Sequence, residues 1–294
     1  MKRVKALTEI KRITVLGAGL MGHGITQVAA QVGKYEVCMR DIDQKFVDSG
    51  MNMIRDSLQR FVKKSQLTEA QVKEILERIH PMLDLKEAVS RADLIIEAAP
   101  ENVELKKGIF REVDSYAPPH AIMASNTSSV SITELGSATK RPEKVCGMHF
   151  FNPPQLMKLI ELIKGAKTSD ETLQSVLEVS RRMEKETVLV KKDCPGFIVN
   201  RILVPALNEA AQIYWEGIAD RDDIDKAIKL GLNWPMGPLM LLDYIGSDTT
   251  LAIADVLAKE LDPKFHASTG LKQMVKAQLL GRKTGKGFYD WTQK

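Results

Sequence analysis

Short apolar runs alternate with longer stretches of helical period through the first two-thirds of the chain. The runs are Ile13–Leu16, Tyr35–Met39, Asp93–Ala98, Ala121–Ala124, Val145–Phe150, Leu156–Ile163 and Thr187–Val190. Strands separated by helical segments predict βαβ units and a largely parallel sheet. Between the second and third runs lie two polar, charged helical stretches, about 44–65 and 68–78. One crossover does not need two helices, so this insertion is expected to be a helical hairpin projecting from the sheet. After Lys191-Lys-Asp-Cys-Pro195 the alternation stops and helical period takes over. Phe197–Trp215 is apolar on nearly every face, which predicts burial in a core or a subunit interface. The expected organisation is an α/β domain over 1–192, with inserted helices at about 44–78, followed by a smaller all-α domain over 193–294. The chain shows neither internal repeats nor low-complexity segments.

Composition narrows the function classes. The 294 residues are 44% hydrophobic and 27% charged, as in a soluble globular protein. Formal charge is 42 − 38 = +4 and dispersed, which argues against nucleic acid, as does an aromatic content of 5%. A mild cationic excess suits an anionic small molecule. Cys38, Cys146 and Cys194 are widely spaced and odd in number, forming neither a disulfide framework nor a ligand cluster. A reducing compartment follows. No apolar run approaches the ~18 residues of a membrane span. The basic opening Met1–Lys5 lies too close to the first core strand to leave room for a signal segment, so the expected location is cytoplasmic.

The most informative string is Ile13-Thr-Val-Leu-Gly17-Ala-Gly19-Leu20-Met21-Gly22-His-Gly24. It places G-x-G-x-x-G directly after a strand and at the head of a helical pattern. Gly17 permits the tight turn, Gly19 lets backbone N–H groups approach a pyrophosphate, and Gly22 lets the helix pack close to the sheet. Asp41 follows the second strand at about the ~20-residue distance expected of an acid that binds the adenosine ribose. Together these predict a Rossmann-type dinucleotide site. Asp41 favours NAD; Arg40 beside it leaves NADP open, because an arginine there can accept a 2′-phosphate.

Candidate chemistry lies further along. His149 ends an apolar strand just before Asn152-Pro-Pro, and Leu156–Ile163 reads as a strand coming back. A hairpin over that turn brings His149 near Glu161. A carboxylate in an apolar row needs a partner, and an imidazole held by it makes a general acid/base. Taken alone, His149 reads equally as a satisfied core histidine. Ser125-Asn126-Thr-Ser128-Ser129 follows a strand where α/β sheets present ligand loops, or else serves as a cap for the stretch after Ser131. Asn200 lies early in an apolar helical segment, suited either to a ligand or to backbone.

With these residues in view, the chain resembles the 3-hydroxyacyl-CoA dehydrogenase family. The resemblance rests on Gly17–Gly24, Ser125–Ser129, His149-Phe-Phe-Asn-Pro153, Pro195-Gly-Phe-Ile-Val-Asn-Arg201, Pro235-Met-Gly-Pro238 and Gly281-Arg-Lys-Thr-Gly-Lys-Gly-Phe-Tyr289. It spans about residues 12–291 and is closest to the short bacterial 3-hydroxybutyryl-CoA dehydrogenases. It implies interconversion of 3-hydroxyacyl-CoA and 3-ketoacyl-CoA, with His149 as acid/base, Glu161 orienting it, and Ser128 and Asn200 bonding the substrate. Implied cofactor contacts are Gly17, Gly19, Leu20, Met21, Gly22, Asp41, Glu101, Lys106 and Asn126. Implied substrate contacts add Ser57 and Lys64 of the inserted helices, and Asn152. Ser57, Arg60 and Lys64 also share one helix face by spacing. His23 departs from the pattern, standing where the family usually has a small residue.

Two rival readings remain: a dehydrogenase of a free hydroxy acid or sugar acid on the same fold, and a non-catalytic dinucleotide-binding protein. Gly281-Arg-Lys-Thr-Gly-Lys286 mimics a phosphate loop, but its spacing is wrong and no strand precedes it. No metal site is expected. The apolar C-terminal helices suggest a homodimer formed through the second domain.

Overall fold

A computed structural model describes residues 9–292, so the basic opening Met1–Lys5 lies outside the described residues. The described residues divide into two compact units, the first ending at Cys194 and the second beginning at Pro195.

In the first unit the strands are β1 (Arg12–Leu16), β2 (Glu36–Arg40), β3 (Ile79–Met82), β4 (Leu94–Glu97), β5 (Ile122–Ser125), β6 (Val145–Phe150), β7 (Leu159–Ile163) and β8 (Glu186–Val190). They form one sheet in the order β3-β2-β1-β4-β5-β6-β7-β8. Every pair is parallel except β6 with β7. The interspersed helices are α1 (Gly22–Gln31), α2 (Gln44–Lys63), α3 (Glu69–Glu77), α4 (Leu85–Val89), α5 (Val103–Tyr116), α6 (Ile132–Ser137) and α7 (Asp170–Arg182). The α/β class read from the alternation is what the structure has. β4, β5 and β6 are buried along their whole length, which is why they are apolar runs rather than alternating ones.

Strand order reverses direction between β1 and β4, with Leu16 paired to Glu97 at their carboxyl ends. A crevice opens at such a point because the two crossovers leave in opposite directions.

Two sequence expectations need correction. β3 was not anticipated: it is four residues long, half exposed, and contains Pro81. Pro is tolerated there because β3 pairs only with β2 at the sheet edge. The inserted helices also project less than expected. α2 buries Val47, Gly50, Met51, Ile54 and Leu58 in the main core, since an amphipathic helix with one apolar face gains most by docking that face. α3 begins with a reciprocal cap in which Thr68 and Gln71 satisfy each other's backbone N–H.

The second unit is helical: α8 (Val199–Trp215), α9 (Arg221–Leu232), α10 (Pro238–Ile245), α11 (Ser247–Glu260) and α12 (Thr269–Lys276). Its core gathers Val204, Leu207, Leu239, Leu242, Leu257 and Leu271. The α8 segment is less uniformly buried than its sequence suggests: Ile202 is 70% and Trp215 52% exposed. Asp243 is buried and accepts hydrogen bonds from the backbone of Phe288 and Tyr289 and from Trp291 Nε1. Gly281–Lys286 is thus the turn of a C-terminal latch closed by a β-bridge, in keeping with its exclusion as a phosphate loop.

Candidate active site

The glycine loop joins β1 to α1 at the switch point. Gly17 has φ +109°, and a Cβ there would meet Ala98 O at 2.6 Å. A Cβ on Gly22 would lie 1.7 Å from Gly17 O, so the helix can start only with glycine. Gly19 is different. A Cβ there would meet nothing within 4 Å, so this glycine borders open space, as a cradle for a phosphate requires. Met21 caps α1 without a side-chain hydrogen bond, so no side chain competes with an anion for the helix start. Leu20 is exposed beside them. These residues fit a dinucleotide pyrophosphate.

Asp41 stands at the end of β2, its Oδ2 accepting from Ala18 N at 2.7 Å and its Oδ1 from Ile42 N at 2.7 Å. Arg40 turns away: its Nε donates to Leu83 O at 2.8 Å, just past the unanticipated β3.

The ends of β4 and β5 carry a polar cluster that sequence reading only partly found. Lys106 and Glu97 are each 1% exposed, with Lys106 Nζ donating to Glu97 Oε1 at 2.6 Å and to Ala99 O at 3.1 Å. Glu101 Oε2 lies 3.2 Å from the same ammonium. The Lys106 ammonium is thus buried among Glu97, Ala99 O and Glu101. Glu97 Oε2 accepts from Ser125 Oγ at 2.5 Å. Glu97 was missed, although a lone carboxylate in Leu94-Ile-Ile-Glu97 was a visible signal.

Glu101 organises the loop after β5. Its Oε1 accepts from Thr127 Oγ1 at 2.5 Å, Ser129 Oγ at 2.9 Å, and the backbone N–H of Ser128 and Ser129 at 2.9 and 3.0 Å. Burial alone would raise this carboxyl, but Lys106 and the loop donors outweigh it and hold Glu101 below the ordinary carboxylate range. Ser128 Oγ lies 3.3 Å from Glu101 Oε1, so the structure ties the loop serines to Glu101. Capping of α6 falls to Ser131, which accepts from Glu134 N. Asn126 Oδ1 accepts from Phe150 N at 2.8 Å, tying this loop to β6.

On β6 and β7, His149 and Glu161 pair directly across the antiparallel ladder. His149 Nδ1 lies 2.7 Å from Glu161 Oε2, and Glu161 is fully buried. The Phe151 ring lies 4.6 Å from the imidazole. The hairpin expected from sequence supplies this pairing; the ladder register puts both side chains on one face. Asn200 stands in the second unit, in the first turn of α8.

Beside α1 and α2 opens a pocket of about 610 Å³. Ser57 and Arg60 line it from α2 and Lys64 from the cap that follows it, Leu20 and His23 from the glycine loop and α1, and Asn152, Gln155 and Leu156 from the turn after β6. Ser57, Lys64 and Asn152, expected as substrate contacts, are thus brought to one cavity. Among the described residues no cluster of His, Cys, Asp or Glu is arranged to hold a metal, and no helix is long and apolar enough to cross a membrane.

A glycine loop at the switch point, an acid after β2 and a buried His–Glu pair on adjacent strands are what a dinucleotide-dependent oxidoreductase requires. Residues 12–194 match the family described as 3-hydroxyacyl-CoA dehydrogenase, NAD binding domain, and residues 196–291 match its C-terminal domain. The chain belongs to the 3-hydroxyacyl-CoA dehydrogenase family. It is 46% identical to a probable 3-hydroxybutyryl-CoA dehydrogenase of Bacillus subtilis over 97% of this chain and 99% of that protein. Its structure is similar to that of (S)-3-hydroxybutyryl-CoA dehydrogenase from Ralstonia eutropha, with a TM-score of 0.91 and 44% identity over 97% of this chain and 100% of that one. It is also similar to a diketoreductase acting on dicarbonyl compounds, at TM-score 0.83 and 31% identity over 96% and 99% of the two chains.

Proposed function

We propose that this chain interconverts 3-hydroxyacyl-CoA and 3-ketoacyl-CoA with NAD, and that its preferred pair is 3-hydroxybutyryl-CoA and acetoacetyl-CoA. The observation that carries the reading is the His149–Glu161 pair on the strands beside the dinucleotide crevice.

The hydride exchanged at C3 is the contribution of the bound dinucleotide. The protein handles the proton. Glu161 accepts from His149 Nδ1, which fixes the ring and assigns Nε2 to the substrate's C3 oxygen. In reduction the imidazolium gives its Nε2 proton to that oxygen, with the buried carboxylate balancing the ring's charge. In oxidation the neutral ring takes the proton back. Ser128 and Asn200 are assigned hydrogen bonds to the reacting oxygen or the thioester, an effect of oxyanion-hole type. Gly17, Gly19, Leu20, Met21 and Gly22 hold the pyrophosphate, and Asp41 the ribose. Glu101 and Asn126 border the nicotinamide half; Lys106 acts there through Glu101. Ser57 and Lys64 receive the CoA moiety.

NAD is favoured over NADP on two grounds. Asp41 is held by two backbone N–H groups in the ribose position, and Arg40, the group that would accept a 2′-phosphate, is tied to Leu83 O. The reading also includes a homodimer formed through the second unit, supported by exposed apolar residues such as Ile202, Trp215 and Ile218, and a reducing, cytoplasmic setting supported by the cysteine spacing. Sedimentation and cell fractionation test these two.

The test of function is nicotinamide absorbance with acetoacetyl-CoA and either NADH or NADPH. Rapid NADH oxidation, slower with NADPH, is expected. No oxidation with either, in folded protein, would overturn the thioester reading. It would favour a free keto substrate, a second reading prompted by the similarity to the diketoreductase.

A further inference from the structure

Lys185 ends the tight connection between α7 and β8 and is only 8% exposed. The backbone around it is fixed: Lys185 N donates to Ser180 O at 2.9 Å, and Glu186 N to Lys158 O at 2.9 Å. The ammonium donates to two carbonyls, Pro154 O and Met157 O, each at 2.7 Å. Among the described residues no carboxylate pairs with it, and burial lowers its pKa. A buried ammonium without a counter-charge is costly. The bonds to those two carbonyls are what offset that cost.

Both carbonyls belong to the turn after β6. Pro153 and Pro154 bring no N–H groups, so the turn is short of donors for its own carbonyls. Pro153 O is met by Leu156 N and Met157 N, and Lys158 O by Glu186 N. Pro154 O and Met157 O are met by Lys185. The turn also lies against α1, where a Cβ on Gly24 would come within 2.7 Å of Pro154 Cδ. Pro154 thus meets the cofactor helix through its ring and the ammonium through its carbonyl. The same turn follows His149 closely and carries Asn152, Gln155 and Leu156 into the wall of the thioester cleft.

We propose that Lys185 is a positioning residue for the reaction: its ammonium holds the turn after β6 against α1 and so fixes the cleft wall relative to His149. The inference rests on the acyl-CoA reading above. Lys185 touches neither substrate nor cofactor in this role and acts only through the turn. His149 is held separately, by Glu161 across the β6–β7 ladder. Loss of the ammonium therefore loosens the cleft wall while leaving the acid/base in place. The glycine loop is set by the close packing of Gly17 on Ala98 and of Gly22 on Gly17. Neither contact involves the turn, so dinucleotide binding is independent of Lys185.

The experiment is steady-state kinetics with acetoacetyl-CoA and NADH on wild type, Lys185→Met, Lys185→Gln and Lys185→Arg, each checked for folding by circular dichroism. In Lys185→Met, KM for acetoacetyl-CoA is expected to rise about tenfold, the lower end of what one hydrogen bond to a charged group contributes. Its kcat should fall less, and KM for NADH should be unchanged. Lys185→Arg restores a charged group with several N–H donors and should recover most of the loss. Lys185→Gln offers one neutral amide and should fall between the two. The series keeps the test decisive where Lys185→Met fails to fold. A merely structural lysine would lower the denaturation midpoint and leave the KM of the folded enzyme where it was. That result, or KM values for thioester and NADH rising together, would overturn the role while leaving the reaction intact. Inactivity of wild type with acetoacetyl-CoA would instead overturn the thioester reading and this role with it.

Discussion

His149 stands directly opposite Glu161 across the antiparallel rung of β6 and β7, with Nδ1 2.7 Å from Glu161 Oε2. Because the carboxylate is fully buried and arises from the backbone of the neighbouring strand, the ring's orientation is set by the sheet itself. His149→Ala is expected to lower kcat by more than ~10²-fold, the usual contribution of a positioned acid/base. Glu161→Gln keeps a hydrogen-bonding partner but removes the charge, and should lose less. NADH affinity, read by fluorescence titration, should be unchanged in both. Near-normal turnover in His149→Ala would remove the assignment.

Lys106 and Glu97 form an ion pair with no solvent on either side. Removing one member strands a buried charge, so Lys106→Met is expected to destabilise the protein by about 3–5 kcal/mol in chemical denaturation. The double variant Glu97→Gln/Lys106→Met should recover part of that loss. If Lys106→Met instead leaves stability intact while weakening only NADH binding, the ammonium has a direct role with cofactor that its present partners do not indicate.

Cofactor choice is tested at Asp41. Its carboxylate would repel a 2′-phosphate and bind ribose hydroxyls. Asp41→Ala should lower kcat/KM for NADH by at least ~10-fold, as loss of charge-assisted bonds implies, and narrow the gap to NADPH. A wild-type enzyme faster with NADPH would refute the preference.

Acid should loosen the loop after β5. Glu101 is held below its ordinary value of 4.5, so the stability it contributes is fully present above about pH 4.5 and is lost as pH falls through its lower folded value. Glu101→Gln should therefore be less stable than wild type at pH 6, with the difference shrinking below pH 4.5. Denaturation midpoints at several pH values give the comparison; a difference constant across that range would contradict the sign.

Cys38 and Cys146 are each pushed to about 12 by burial. At pH 8 neither thiol should react with a disulfide reagent in the native state, and both should react on unfolding. Rapid native labelling of Cys146 would show that β6 opens locally.

Sequence alone determined those features that depend on local order. Apolar runs and helical period gave the parallel sheet and the change to helices. The spacing of Gly17, Gly19, Gly22 and Asp41 gave the dinucleotide site, since each residue's role follows from its place in one strand–turn–helix. His149 and Glu161 were legible because a hairpin is a short-range event and its register puts facing residues together. Tertiary structure decided what depends on residues far apart in the chain. β3 exists because β2 offers it an edge, not because Ile79-His-Pro-Met82 has strand character of its own. Glu97 and Lys106 look ordinary until β4 and α5 close over them. Arg40 was ambiguous in sequence, and only the segment after β3 supplies the carbonyl that holds it. The pocket beside His23 joins α1, α2 and the turn after β6, three segments whose proximity no local pattern encodes, because it comes from packing a helix against a sheet.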